Sequence, residues 1–473
     1  MSTDVAPLAG RYERFRADVF NSVVEERPLP GWSEPMPELQ LQSLWFAGEF
    51  GSDFTTVDGR RVVIRDFGIW NSGAGPDFTN CAILYNGEVI SGDIELDPDV
   101  RDWERHGHGG NKAYNHVVLH LFIHTPVEGR AYTRTAEHRE VPQIHLSPEM
   151  LGDGFVQPTS LAAARLGRCA TPLKEMGEAA VRSLLESSAQ HRLMLKSKRL
   201  HQGVTSHGRE QAIFQGLAQT LGYRQNQRPF TVLAQRLPLR GLLAMDAPAR
   251  EALLFGVAGF IDTTPYESTK GATRGYLRDL WSHWWKLSSE YSRWRETSQN
   301  LPWKTAATRP GNHPQRRLGA LAAMLESWSR VCGPLKKADA WSRESWAGTM
   351  AGLHHAYWDD HYTLTASPSP KPLAMIGETR VNEMLANVVY PLLMPDRPAV
   401  WAEYLDLPAL LDNQKVRRAS LRLFGDSPMA RVFHKKLHQQ QGLLQIYEDF
   451  CLEDDSACAD CPFPERIKQW KSG

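Results

Sequence analysis

The chain has 473 residues, with Lys+Arg and Asp+Glu balanced at 54 each. That length suits two or three domains with a sizeable core, and the neutral sum gives no bulk signal for nucleic acid or membrane while leaving room for a local basic groove. The opening MSTDVAPLAGRYERFRADVF lacks the apolar stretch of a signal peptide, no run approaches the roughly 18 apolar residues of a membrane helix, and the six cysteines are too few and too scattered for a disulfide framework. The expectation is a soluble cytoplasmic protein with no membrane partner.

Residues 1–37 carry Pro28, Pro30, Pro35 and Pro37 and read as an arm. ELQLQSLWFAGEF (38–50) then places Leu41, Leu44 and Trp45 on one helical face. RRVVIRDFGIWN reads as a strand. GPDFTNCAILYNGEVISGDIELD (75–97) reads as a hairpin, with Asn86-Gly87 as a type I′ turn between apolar runs. DVRDWERHG predicts a short helix, YNHVVLHLFIH a clear strand and REVPQIHLS another. Beyond about residue 161 the apolar spacing turns helical, as in EAAVRSLLESSAQHRLMLKSKRL, whose basic end suits a helix C-terminus. Fifteen tryptophans, most at or after Trp281, suit a large aromatic-rich core there. The predicted fold is α+β: an N-terminal mixed sheet with flanking helices over 38–160, then a mostly α-helical region over 161–473.

The hairpin carries the most informative side chains. Asp77 stands at the start of its first strand, directly after Pro76, and Asp93 and Glu95 are two apart on its second. Regular alternation would turn Asp93 and Glu95 to one face, where the hairpin brings them beside Asp77. Converging carboxylates suit Mg²⁺ or Mn²⁺, which prefer hard oxygen ligands. Such a metal lowers the pKa of a bound water and neutralises charge on a phosphodiester. Glu38, on the preceding helix, is placed to add an oxygen or orient that water. The plain alternative is a solvated sheet edge.

Pro76-Asp77, fifteen intervening residues and Asp93-x-Glu95-x-Asp97 resemble the PD-(D/E)XK nuclease superfamily, and the helix–strand–hairpin–helix–strand order resembles its core. The resemblance implies Asp77 and Glu95 as metal ligands, with Asp93 supporting or sharing that role. It also implies a lysine two residues after the second acid, where this chain has Asp97. Lys112, Arg101 or His106 are the candidate replacements for that cation. His106 and His108 form an H-x-H pair whose imidazoles titrate near neutrality, with a Gly-rich surface loop as the alternative; His120 and His124 read as structural. LQSLW, GIWNSGAGPDF, GDIEL, DWERHGH, YNHVVLHL, LPLRGLL, EALLFGVAGF and RPGNHPQRRL together resemble a bacterial family described only as a domain of unknown function. That resemblance covers most of the chain and brings no chemistry with it.

RPGNHPQRRL gathers Arg309, Asn312, His313, Arg316 and Arg317 before a helix. Arginine forks and helix N-terminal amides suit phosphate, so these five are the candidate nucleic-acid contacts, with local ion pairing as the alternative. At the C-terminus Cys451, Cys458 and Cys461 have C-x6-C-x2-C spacing, which suits Zn²⁺ or an iron–sulfur cluster with His434, His438 or Cys169 as a fourth ligand. The leading expectation is a metal-dependent nuclease-like protein that hydrolyses DNA or RNA, with Glu38, Asp77, Asp93, Glu95, His106 and Lys112 at its centre. Two alternatives stand beside it: a nuclease-fold protein that binds nucleic acid without cutting it, and a hydrolase of another phosphorylated substrate whose metal sits on the His106–His108 turn.

Overall fold

The computed structural model describes residues 6–21, 36, 38–71, 74–125, 132–151, 167–261, 269, 271–295, 300–306, 308–336, 338–409, 414–425, 427–433, 435–451 and 461–470. The chain forms two compact units: one built from residues 1–28, 153–200 and 378–473, the other from 29–152 and 201–377. This departs from the expected break near residue 160. The sheet shares its unit with helices as far as residue 377, while the last hundred residues form the other unit with two earlier segments. A single 30-residue helix, Glu178–His207, runs through the division at residues 200 and 201, which no composition shift marks.

The sheet unit opens with the helix Glu38–Phe46, which buries Leu41, Trp45 and Phe46. Among the described residues seven strands follow: β1 (Asp53–Thr55), β2 (Arg61–Asp66), β3 (Ile69–Trp70), β4 (Phe78–Tyr85), β5 (Glu88–Asp99), β6 (Val117–His124) and β7 (Gln143–His145). Their order is β1-β2-β4-β5-β6-β7, with β3 paired to β4. The pairs up to β4–β5 are antiparallel, and β5–β6 and β6–β7 are parallel. The β4–β5 turn has φ of +52° at Asn86 and +83° at Gly87, the doubly left-handed geometry that makes Asn-Gly the preferred tight hairpin. β6 is buried from Val117 to Ile123, as expected of a strand flanked by parallel neighbours. Between β5 and β6 lie the helix Asp102–Arg105 and two 3₁₀ turns, His108–Gly110 and Lys112–Tyr114.

The helical part of this unit is fixed by aromatic packing. Gly319 lies under the Trp358 indole so closely that a Cβ there would sit 2.3 Å from ring carbons. Buried Glu251 collects hydrogen bonds from Tyr276 Oη (2.5 Å) and Trp358 Nε1 (3.0 Å), with His355 Nε2 3.1 Å away. The other unit is helical, with a core of Tyr12, Leu184, Leu443, Ile446 and Phe463 among others. Lys196 there is half-buried and donates to neutral acceptors, Asn387 Oδ1 at 2.8 Å and Gln441 Oε1 at 2.7 Å. Among the described residues no helix is long and apolar enough to cross a membrane.

Candidate metal centre

Two irregularities decide which acids meet. β4 carries an extra residue between Phe78 and Cys81, where Asn80 has φ +56°, and β6 carries an extra residue between Val117 and Leu119, opposite Asp93 and Ile94. A bulge disrupts the ladder locally and re-aims nearby groups, and these two flank Asp93 on both sides. The half-buried Asp93 carboxylate instead accepts the Asn80 N–H at 3.3 Å and lies near His116. The expected ligand set Asp77–Asp93–Glu95 is corrected accordingly: the buried acids that adjoin one another are Asp77, Glu95 and Asp97.

Asp77 and Glu95 sit opposite each other at the start of β4 and the middle of β5. The Asp77 N–H donates to Glu95 Oε2 at 2.8 Å, and Asp77 Oδ2 accepts the Leu96 N–H at 3.1 Å. Arg293, 216 residues away in sequence, donates from Nη2 to Asp77 Oδ1 at 2.6 Å and from Nη1 to the carbonyls of Gly75 and Pro76 at 2.8 and 3.2 Å. Gln42 bridges Asp77 to Glu38, donating from Nε2 to Glu38 Oε1 at 2.9 Å.

Asp97 meets the histidines. His106 Nδ1 lies 3.4 Å and His108 Nε2 4.0 Å from Asp97 Oδ1, while His108 Nε2 is 3.3 Å from Glu95 Oε1. His120 Nε2 is 3.2 Å from Asp97 Oδ2, and its Nδ1 is 2.6 Å from Thr133 Oγ1, which also accepts from Gln143 Nε2. The Nε2–H tautomer satisfies both contacts of His120: it donates to Asp97 and accepts the Thr133 hydroxyl. Tyr114 stacks on His108 with ring centres 4.1 Å apart, and Trp103 packs edge-on against His108 at 5.5 Å. The imidazoles are held by aromatic walls as well as by acids. His106 is the solvent-facing member, with a side chain 43% exposed.

Charge in this cluster is under-compensated. Burial, then the neighbouring charge of Asp77, pushes Asp97 up to about 7 and raises Glu95 well above the carboxylate range. Burial, then Asp77 and Asp97, pushes Glu38 up to about 7. Burial also pushes His108 down to about 4 and His120 to about 3. Burial works against charge on both partners of the His108–Glu95 and His120–Asp97 contacts, so the imidazoles of His108 and His120 are neutral. A neutral imidazole is the form that binds metal.

Asp97 Oδ1, His106 and His108 each offer a ligand atom within 4.8 Å of the others, and among the described residues no other His, Cys, Asp or Glu group meets that geometry. Two imidazoles and a carboxylate, with Glu95 Oε1 alongside, fit a divalent cation. The nitrogens favour Zn²⁺, Mn²⁺ or Fe²⁺ over Mg²⁺. Asp97, at the position where the nuclease motif has a lysine, offers one of the three ligand atoms.

The other expected residues fall elsewhere. Lys112 is exposed and pairs with none of these carboxylates; Arg101 is held by Asp99 at 2.6 Å. The cation beside the acids is Arg293, for which local sequence gives no signal. Arg316 is 2% exposed and donates to the carbonyls of Trp358, His361 (2.8 Å), Leu373 (3.0 Å) and Ala374 (3.2 Å). Arg317 is also buried and donates to Met375 O at 3.1 Å and Asn312 Oδ1 at 2.7 Å, and His313 caps the following helix through the Gln315 N–H. These donors build a helix junction and do not face solvent for phosphate; only Arg309 is exposed. Cys458 and His434 lie outside the described residues. Cys451 and Cys461 pack against the core that contains Cys169, whose thiol points to Arg422 O at 3.7 Å, and His438 Nδ1 bonds Leu405 O at 3.1 Å. The acids do not line the 350 Å³ depression formed by Tyr85, Val118, Tyr132 and Gln143.

Comparison with known proteins gives a family and no further relatives. The family described as "Protein of unknown function (DUF2851)" matches residues 38–401, a stretch that holds every side chain of the centre from Glu38 to Arg293 and excludes Cys451 and Cys461. No curated protein and no solved structure matches the chain. The chain belongs to the DUF2851 family.

Proposed function

We propose that the sheet unit is a metal-dependent phosphodiester hydrolase acting on nucleic acid, with its metal held by Asp97, His106 and His108 and with Glu95 alongside. The observation that carries this reading is the meeting of those three ligand atoms within 4.8 Å, beside the buried acids Asp77 and Glu95, of which Asp77 is held by Arg293. The strand arrangement supports the nuclease part. A helix precedes an antiparallel β2-β4-β5 run, and a helical crossover leads to β6 parallel to β5, with acids at the start of β4 and within β5. This order resembles the PD-(D/E)XK core.

The bound cation would polarise a phosphoryl oxygen and lower the pKa of a coordinated water. The chain's own residues do the rest. Arg293 fixes Asp77 and the Gly75–Pro76 carbonyls, a placement that substitutes for the absent motif lysine as an anchor of the acidic pair. Glu38, raised to about 7, is poised to take the proton that an attacking water loses. His120 holds Asp97 in one orientation, as an outer partner orients a ligand. His106 marks the solvent-facing side by which a phosphodiester reaches the site.

A second reading keeps the fold and the metal without turnover, and one observation favours it: both Asp77 oxygens are already committed, to Arg293 and to the Leu96 N–H. Both readings meet in one experiment. Labelled single- and double-stranded DNA and RNA and a small phosphodiester are incubated with Mn²⁺, Zn²⁺ or Mg²⁺, comparing wild type with Asp97→Asn and His108→Gln. The hydrolase reading expects cleavage with Mn²⁺ or Zn²⁺ that both changes abolish. Metal-independent or unaltered cleavage overturns it, and binding without any cleavage selects the second reading.

A further inference from the structure

The helix Gly271–Leu287 buries one side and leaves another with an unusual composition. Leu277, Leu280 and Trp284 are buried, and Trp284 lies against Gly256, where a Cβ would come within 2.1 Å of its ring. Arg274, Arg278, Trp281 and Trp285 follow at spacings of four, three and four residues, which places them along one stripe of the helix. Arg274 and Arg278 are exposed, Trp281 is half-buried and Trp285 is 64% exposed. The two indoles are stacked, with ring centres 5.2 Å apart and planes 13° from parallel. No acidic residue lies on the stripe itself; Asp279, beside it, touches Arg278 at 3.3 Å in an exposed pair, which is weak in water.

Solitary exposed tryptophans are ordinary, but two parallel indoles in line with two guanidinium groups match a specific ligand. Flat π-faces accept unpaired bases regardless of sequence, and the cations track the phosphates. From Arg274 to Trp285 the helix rises about 16 Å, the reach of roughly three nucleotides. A duplex hides its bases and gains only the charge term. The same helix also leads towards the metal centre. Trp284 is followed by Tyr291 and Trp294, with ring centres 6.5 and 5.5 Å apart in turn; Trp294 Nε1 bonds Asn71 O at 2.9 Å, and Arg293 holds Asp77.

We infer that the Arg274–Arg278–Trp281–Trp285 stripe binds single-stranded nucleic acid and makes single strands the substrate class of this protein. The inference rests on the hydrolase reading for the word substrate, and on the stripe alone for binding. The test uses the full chain and fluorescence anisotropy of a labelled twelve-nucleotide oligo-dT, oligo-rU and a duplex of the same length, with EDTA present so that no cleavage intervenes. The expected result is binding of the single strands at least about tenfold tighter than the duplex. Trp281→Ala and Trp285→Ala should each weaken single-strand binding about tenfold, with Trp285→Phe restoring much of it. Arg274→Ala and Arg278→Ala should each lower the slope of log affinity against log salt by about 0.7. Equal affinity for duplex and single strand, or unchanged binding by the double tryptophan variant, overturns the inference. Metal-dependent hydrolysis of a small phosphodiester, measured in the same variants, separates the two readings. Hydrolysis without single-strand binding sinks only the stripe, and single-strand binding without hydrolysis sinks only the enzyme.

Discussion

The arginines of RPGNHPQRRL and the acids of the β4–β5 hairpin are both charged groups taken out of water, and they end in opposite conditions. Arg316 and Arg317 find backbone carbonyls or Asn312 wherever they donate. Glu38, Asp77, Glu95 and Asp97 crowd together with Arg293 as the cation bound to Asp77; Glu38 and Asp97 are raised to about 7, and Glu95 is raised well above the carboxylate range. A buried charge with its partners in place holds a fold together; a buried cluster with surplus charge of one sign is prepared for a counter-ion. By this criterion the denser basic motif is structural and the less conspicuous acidic turn is the candidate site.

The contrast is tested most severely by Arg316→Met. Four carbonyls lose their donor, so unfolding stability should fall by about 3–5 kcal/mol, read by urea titration, with nucleic-acid affinity per folded molecule unchanged. A specific loss of binding in a stable Arg316→Met protein would restore the phosphate role. His438 gives the next largest effect and isolates burial from neighbouring acids. Its folded-state pKa is pushed down to about 4 by burial, and its Nε2 finds no partner for a second proton. The unfolded chain takes up that proton near 6.5. The stabilising effect of the neutral ring is therefore intact above about pH 6.5 and lost as pH falls towards 4, by up to about 3 kcal/mol. His438→Gln should flatten this part of the stability–pH curve; an identical curve would show that the ring titrates freely.

Smaller still is the effect of Asp97→Asn on the metal-free protein. Removing one surplus negative charge should leave stability within about 1 kcal/mol of wild type, or raise it. A loss like that of Arg316→Met would mean that Asp97 serves the fold rather than a ligand. Arg309→Ala, on the exposed end of the basic motif, should lie within about 0.5 kcal/mol.

How much of this could be read in advance depended on range. Asn86-Gly87 and the alternating run around β6 carry their geometry within a few residues, and both elements form where the pattern places them. Asp77 and Glu95 were recognisable because a hairpin register links them. Asp93 departs from the expected set because the β4 bulge turns the Asn80 N–H onto its carboxylate, and the signal of that bulge, a non-glycine residue with positive φ, is not visible in composition. Asp97 occupies the position that the nuclease motif gives to a lysine, although its spacing from Glu95 puts it on the same face. Arg293 joins the site through tertiary packing 216 residues away, where local pattern has nothing to say. Arg316 and Arg317 read as surface charges because a sequence does not show which carbonyls a loop will present to them.

The central claim is that Asp97, His106 and His108, rather than Asp93, hold a divalent metal. Isothermal titration of the chelator-treated full chain with Mn²⁺ and with Zn²⁺ tests it most directly, alongside Asp97→Asn, His108→Gln and Asp93→Asn. The account predicts one bound equivalent that is lost or weakened at least about a hundredfold in the first two variants and kept in the third. Absence of binding, or binding that fails only in Asp93→Asn, would contradict it.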